Sequence, residues 1–286
     1  MALILFGLGL SLAPSDFKRL FKQPKSLAVG LFSQMVLLPI IAFIIASLAP
    51  VSPELKVGIM ILSVCPGGIT SNLVSYFVKG NVALAISLTV CNAFLSLFTI
   101  PVLVNLFLKY FLAADQMISL PFLKTMTEIF IITVLPASLG VFVHHKFKSF
   151  AQQAEKYLNY ILPVLLLLVF LFKFFAGKES GGTGMKMEEI YQLAGWVIAL
   201  NIGSMIAGFV VGKSFRLHFK NKITIAVEVG LHNTALALII AGDKIANPAM
   251  QKPALVYAMF SFVITFLIAW IMMRMYGSRV PEKSEL

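Results

Sequence analysis

Apolar residues in this chain fall into nine long runs separated by short polar or basic stretches: about 1–13, 27–49, 55–78, 82–109, 123–144, 157–176, 190–212, 222–241 and 254–275. A helix needs roughly 20 apolar residues to cross a bilayer core, so each run reads as a transmembrane helix. The first is short for a full crossing unless it stands nearly upright or starts in the interface. Two runs are interrupted in similar ways. The third carries Cys65-Pro66-Gly67-Gly68 in its middle, followed by Thr70, Ser71 and Asn72. The eighth carries Glu228, Gly230, His232, Asn233 and Thr234 within an apolar stretch. Proline removes a backbone donor and glycine loosens the helix, so the hydrogen-bond ladder is expected to open at both places. Paired interrupted helices at corresponding positions of two halves point to a transporter's binding site.

Composition strengthens the membrane reading. Of 286 residues, 59% are hydrophobic and only 12% charged, with a mean hydropathy of +0.93. An ordinary soluble domain carries about 25% charged residues, and this chain cannot cover a water-facing surface of that kind. No room is left for a separate soluble domain. The formal charge of +11 does not indicate nucleic acid, because the lysines and arginines sit in short connections between apolar runs. With the N-terminus outside, 15 of the 23 basic residues face the cytoplasm. They include Lys18, Arg19, Lys22 and Lys25, then Lys213, Arg216, Lys220 and Lys222, and finally Arg274, Arg279 and Lys283. That is the positive-inside bias expected of a multi-pass protein of the inner (plasma) membrane with a cytoplasmic C-terminus. No basic segment precedes the first run, which therefore reads as a span rather than a signal peptide. Cys65 and Cys91 lie inside apolar runs and read as small core residues.

Glu228 is the strongest chemical signal. It lies about 9 Å inside the cytoplasmic edge marked by Lys222, at 1.5 Å per helical residue. An ionised carboxylate at that depth is costly unless paired, and such residues face pathways. A snorkelling or protonated structural glutamate is the alternative. No basic residue within the spans offers itself as a partner, so a bound cation is the natural counter-charge. Sodium takes carboxylate, carbonyl, amide and hydroxyl oxygens, which Ser71, Asn72, Thr89 and Gln34 could add. Interhelical hydrogen bonding is the alternative for those four. Glu128 reads as interfacial, Asn201 and Ser204 as helix-packing residues, and His144 and His145 as headgroup contacts.

These segments resemble the bile acid:sodium symporter family, in its bacterial branch. The resemblance runs through Cys65-Pro66-Gly67-Gly68, Ser71-Asn72 and Lys79-Gly80-Asn81-Val82-Ala83-Leu84 to Thr89, and resumes at Glu228-Val229-Gly230-Leu231-His232-Asn233. It implies an all-α fold of two inverted repeats, about 1–110 and 121–286, forming one transmembrane unit over 1–286. Two broken helices cross near the membrane centre, and a core domain moves against a smaller panel domain. The first repeat here lacks the leading helix of ten-span relatives. By the same resemblance, one sodium site maps to Ser71, Asn72, Thr89 and Glu228, with a further hydroxyl ligand lost at Ala85. The second maps to Gln34, Glu228, the backbone of Val229 and Leu231, and His232, where the family usually has glutamine. Imidazole is a poor sodium ligand and titrates near neutral pH, so this site is expected to be weak or pH-sensitive. Substrate contacts map to Gly68, Ile69, Asn233 and Ser261. Some relatives have threonine in place of Ile69 and His-Asn in place of Ser261-Phe262, so this pocket is the more apolar one.

The expected function is sodium-coupled uptake of a small organic anion such as a bile acid, carboxylate or sulfonate. The alternative is proton-coupled or pH-gated movement of an anion, with Glu228 and His232 titrating. Neither a His-Glu-x-x-His motif nor a nucleophile–base pair is present to suggest an enzyme. The expected partners are sodium, the organic anion and the bilayer, with no nucleic acid and no predicted oligomer.

Overall fold

The structure, a computed structural model, describes residues 2–10, 23–112, 120–177 and 182–277. Lys18, Arg19, Lys22, Arg279 and Lys283 lie outside the described residues, as does the side chain of Ile69. Among those described, every element is a helix. Helix α1 (Ala2–Leu10) is followed by α2 (Pro24–Leu48), the pair α3 (Pro53–Val64) and α4 (Ile69–Phe77), and then α5 (Val82–Phe111). The second half comprises α6 (Phe122–Lys146), α7 (Lys148–Phe175) and α8 (Met187–Ser214). It continues with the pair α9 (Phe219–Gly230) and α10 (Thr234–Ile239), and ends with α11 (Pro248–Gly277). Helical residues occupy each of the nine apolar runs. Six of the spans (α2, α5, α6, α8, α9 with α10, and α11) are long and apolar enough to cross a membrane. Hydropathy places several helix starts too late. Helix α7 begins at Lys148 and α11 at Pro248, because polar first turns continue the helix beyond the apolar run.

Side-chain periodicity explains which helix surfaces meet lipid. On α5, Phe94, Phe98, Val102, Leu106 and Tyr110 recur every four residues and are exposed, whereas Leu97, Ile100, Val104 and Leu108 are buried. Helix α3 is buried on almost every side, as expected of a helix apolar all round. It packs against α5 and α11 in the interior. Away from this body, α1 lies on α6 and also touches α7. A Cβ added at Gly9 or Gly140 would collide with the facing backbone, so α1 and α6 approach as only small residues allow. His144 donates to the Leu10 carbonyl in the same contact; the sequence suggested a headgroup contact instead.

Three helices contain a π-turn: Ser33–Leu37 in α2, Phe130–Val134 in α6 and Ile240–Lys244 after α10. The first two run directly into Leu38-Pro39 and Leu135-Pro136. There the proline's missing N–H already interrupts the ladder, and the extra residue is absorbed as an i→i−5 bond, Leu38 to Ser33 and Leu135 to Phe130.

Candidate functional site

Both interruptions foreseen in the sequence are real, and they touch. Helix α3 ends at Val64 and α4 begins only at Ile69. The lost bonds are partly replaced locally: Cys65 donates its N–H to Leu62 and its thiol to the Ile61 carbonyl, at 3.3 and 3.2 Å. Ser71 satisfies the Gly68 carbonyl twice, from its N–H (3.2 Å) and its Oγ (2.8 Å). Cys65 thus helps to end α3, beyond its expected role as core filler.

The second break, between Gly230 and Thr234, frees three successive carbonyls with three different fates. The Glu228 carbonyl accepts from Gln34 Nε2 at 3.0 Å. The N–H of Asn233 would be the helical partner of the Val229 carbonyl, but it donates to Pro66 at 2.8 Å. That bond ties the two unwound segments together where they cross. The Gly230 carbonyl accepts from Asn201 Nδ2 at 2.6 Å and also from the Tyr257 hydroxyl. Asn201 further reaches Thr265 at 2.9 Å. Asn201 is therefore a clamp on the unwound backbone, which is more specific than the helix packing read from sequence. Tyr257 and Thr265 gave no sequence signal, since their partner lies 27 or more residues away.

Oxygen atoms gather around one carboxylate at this crossing. Glu228 is 0% exposed. Its Oε2 accepts from Thr89 Oγ1 at 3.1 Å, and its Oε1 has no partner. Thr89 Oγ1 also lies 3.4 Å from Asn72 Oδ1, and the side chains of Ser71 and Gln34 flank the carboxylate. Gln34 keeps a lone pair on Oε1 beyond the one engaged by Asn92 at 3.1 Å. Gly67 closes the other side. A Cβ there would sit 2.7 Å from Glu228 Oε2, 3.1 Å from Ser71 Oγ and 3.6 Å from the Leu231 carbonyl oxygen. The Leu231 carbonyl therefore faces the same space. Among the described residues no lysine or arginine pairs with Glu228. Ser71, Asn72, Thr89, Gln34, Glu228 and Leu231 are thus brought together, and the carbonyl of Val229 has lost its helical partner beside them. Ala85, one turn before Thr89, is buried and adds no oxygen.

His232 lies apart from this cluster in kind. Its ring stacks on Tyr257 with centroids 5.2 Å apart, and its Nε2 is buried without a partner. Together with Thr70, Thr234 and Ser261 it contributes the polar lining of a cavity of about 580 Å³. The opposite wall comes from Leu167, Phe170, Leu171 and Phe174 of α7 and from Met259 and Phe262 of α11. Of the expected substrate contacts, Ser261 lines the cavity, and Gly68 borders open space, with only Thr70 Oγ1 within 4 Å of an added Cβ. Asn233 caps α10 by accepting from Leu236 N–H at 3.0 Å.

The chain is similar to known proteins. The chain is 24% identical over 96% of its length to a probable sodium/metabolite cotransporter of the Arabidopsis thaliana chloroplast, covering 66% of that protein. It is 25% identical to an uncharacterized sodium-dependent transporter of Bacillus subtilis, with 91% of this chain and 77% of that one aligned. To the human ileal sodium/bile acid cotransporter it is 26% identical, over 84% and 67% respectively. The chain spans 58% to 66% of the chloroplast relatives from Arabidopsis and rice. The pattern that defines the Sodium Bile acid symporter family matches residues 1–181, a stretch that holds the first broken helix and the whole of α5. With the two joined breaks described above, this makes the chain a polytopic, all-helical member of the Sodium Bile acid symporter family.

Proposed function

We propose that the protein is a sodium-coupled symporter of an amphipathic organic anion. The observation that carries the reading is the buried, unpaired carboxylate of Glu228 among oxygen donors from four helices. A carboxylate so placed needs a counter-charge, and the donors match what sodium accepts. In this reading Ser71, Asn72, Thr89 and Glu228 form one sodium site. Gln34, Glu228, the carbonyls of Val229 and Leu231, and His232 form the second. Both sites share Glu228, so the two ions bind with mutual dependence. The cavity between α7 and the crossing holds the substrate: Ser261, Asn233 and the backbone of Gly68 and Ile69 meet its polar end, and the α7 wall meets its apolar body. A pocket that is largely apolar with a few converging polar groups suits such a ligand.

The architecture is one transmembrane unit of two repeats, about 1–110 and 121–286. A common ending supports the pairing. After each second half-helix a residue sits in the left-handed region (Lys79, φ 52°; Ala246, φ 56°), and an asparagine then caps the next helix (Asn81 and Asn247). Helices α1, α6 and α7 form the panel and the remaining helices the core. The chain lies in the plasma membrane with its N-terminus outside and its C-terminus cytoplasmic. The test is uptake into proteoliposomes from a panel of carboxylates and sulfonates, with external sodium replaced by choline. Sodium-dependent uptake is expected. Uptake that persists in choline and follows a proton gradient would replace this reading with one in which Glu228 and His232 carry protons.

A further inference from the structure

A second cavity, of about 560 Å³, lies at the end of the molecule where α8 turns into α9. Lys213 from the last turn of α8, Arg216 from the connecting loop and Lys222 from the first turn of α9 line it, with His218 between them. Phe209, Phe219 and Tyr276 wall it, with ring centroids 6.5 Å (Phe209–Phe219) and 5.7 Å (Phe209–Tyr276) apart. No carboxylate is among its lining residues. None of the three cations has an ion pair among the described residues, and His218 Nε2 is buried without a partner. Arg216 adopts a left-handed backbone, φ 55°, that side-chain-bearing residues rarely take, within a turn closed by the Leu217 N–H on the Gly212 carbonyl.

Orientation bias accounts for basic residues at this end. It does not account for three of them lining one cavity together with an unsatisfied imidazole. Like charges gathered at one cavity repel, and burying a ring nitrogen without a partner is costly. A bound anion relieves both. The fork of an arginine, two ammonium groups and an imidazole donor suit the oxygens of a phosphate. The positive end of the twelve-residue α9 faces the same space.

We propose that this pocket binds a phosphate group, and its place at the ends of three membrane helices favours a phospholipid headgroup as the source. Aromatic rings beside cations at that level match the interfacial zone of a bilayer. The site is separate from the sodium cluster and does not depend on it.

The test uses the full-length purified protein, following thermal stability on titration with phosphatidylglycerol, phosphatidylcholine or inorganic phosphate. Phosphatidylglycerol is expected to stabilise the wild type more than phosphatidylcholine does. The variant Lys213→Gln/Lys222→Gln should weaken its apparent affinity at least tenfold, while the distant pair Lys146→Gln/Lys148→Gln leaves it unchanged. Arg216→Gly keeps a residue suited to the left-handed turn and removes one cation, so it should fold normally and still lose affinity. Protection by inorganic phosphate alone, lost in the same variants, would support the pocket and assign it to a soluble phosphate. Equal loss in the pocket and distant variants, or equal effects of the two lipids with no response to phosphate, would overturn the proposal.

Discussion

At the scale of single residues, the site depends on a few atoms with no room to spare. Gly67 is the clearest case, because an added methyl would occupy space beside the Glu228 carboxylate and Ser71. Gly67→Ala should push the carboxylate aside and weaken sodium-dependent stabilisation at least tenfold in sodium concentration, roughly 1.4 kcal/mol, with the protein still folded. A sodium titration of the thermal midpoint measures it. His232 makes a different prediction. An imidazole offers a cation a nitrogen lone pair and no oxygen, whereas an amide offers a carbonyl oxygen of the kind that sodium takes. His232→Gln should therefore strengthen the second site, read as a higher apparent sodium affinity in a sodium titration of the thermal midpoint. Glu228 was legible in the sequence, because a carboxylate inside an apolar run stands out against its neighbours. Asn201, Tyr257 and Thr265 were not. Asn201 and Tyr257 share the Gly230 carbonyl, and Thr265 accepts from Asn201; these partners are distant in sequence, and polar residues in a helix acquire meaning only once the facing backbone is known to be unwound.

Among the elements, the two breaks were marked locally by Pro-Gly-Gly and by Gly-Leu-His-Asn. That they meet through Asn233 N–H and the Pro66 carbonyl could not be read from either segment alone. The π-turns divide in the same way. Those before Pro39 and Pro136 have a local cause within the same helix, while the one at Ile240–Lys244 closes its helix and the next proline, Pro248, already starts α11. The motif Lys79-Gly80-Asn81 gains a physical reading. Asn81 Oδ1 accepts from Leu84 N–H at 3.1 Å to cap α5, and its Nδ2 donates to Asn221 Oδ1 and Gln23 Oε1. Its N–H reaches Thr224 Oγ1 at 2.7 Å. One residue thus joins the start of α5 to α9 and to the start of α2. Asn81→Ala should destabilise the protein by about 1–2 kcal/mol through the lost cap alone, visible as a lower thermal midpoint. Asn81→Asp, which keeps the capping oxygen, should recover part of it.

For the whole molecule, alternating access in the proposed symporter would move the group α1, α6 and α7 against the remaining helices. An ion pair crosses that boundary: Lys244 Nζ lies 2.9 Å from Glu128 Oε2, joining α6 to the end of the α10 segment. It sits at the end of the molecule opposite the Lys213–Lys222 pocket. Glu128 was read from sequence as interfacial, and its partner belongs to the other half of the chain. Both side chains are partly exposed, so the pair contributes at most about 1 kcal/mol, enough to shift an access equilibrium about fivefold without unfolding anything. Glu128→Gln should therefore raise the labelling of a Ser261→Cys reporter from the Lys244 side by up to that factor. No change in labelling would remove the pair from the gating account. The central claim, a cation held by Glu228 where two unwound helices cross, is tested most directly by sodium-dependent thermal stabilisation of the wild type against Glu228→Gln. The wild-type midpoint should rise with sodium as binding to the folded state requires, over potassium or choline at equal ionic strength, and the variant should show no such rise. An identical sodium response in both proteins would contradict the account.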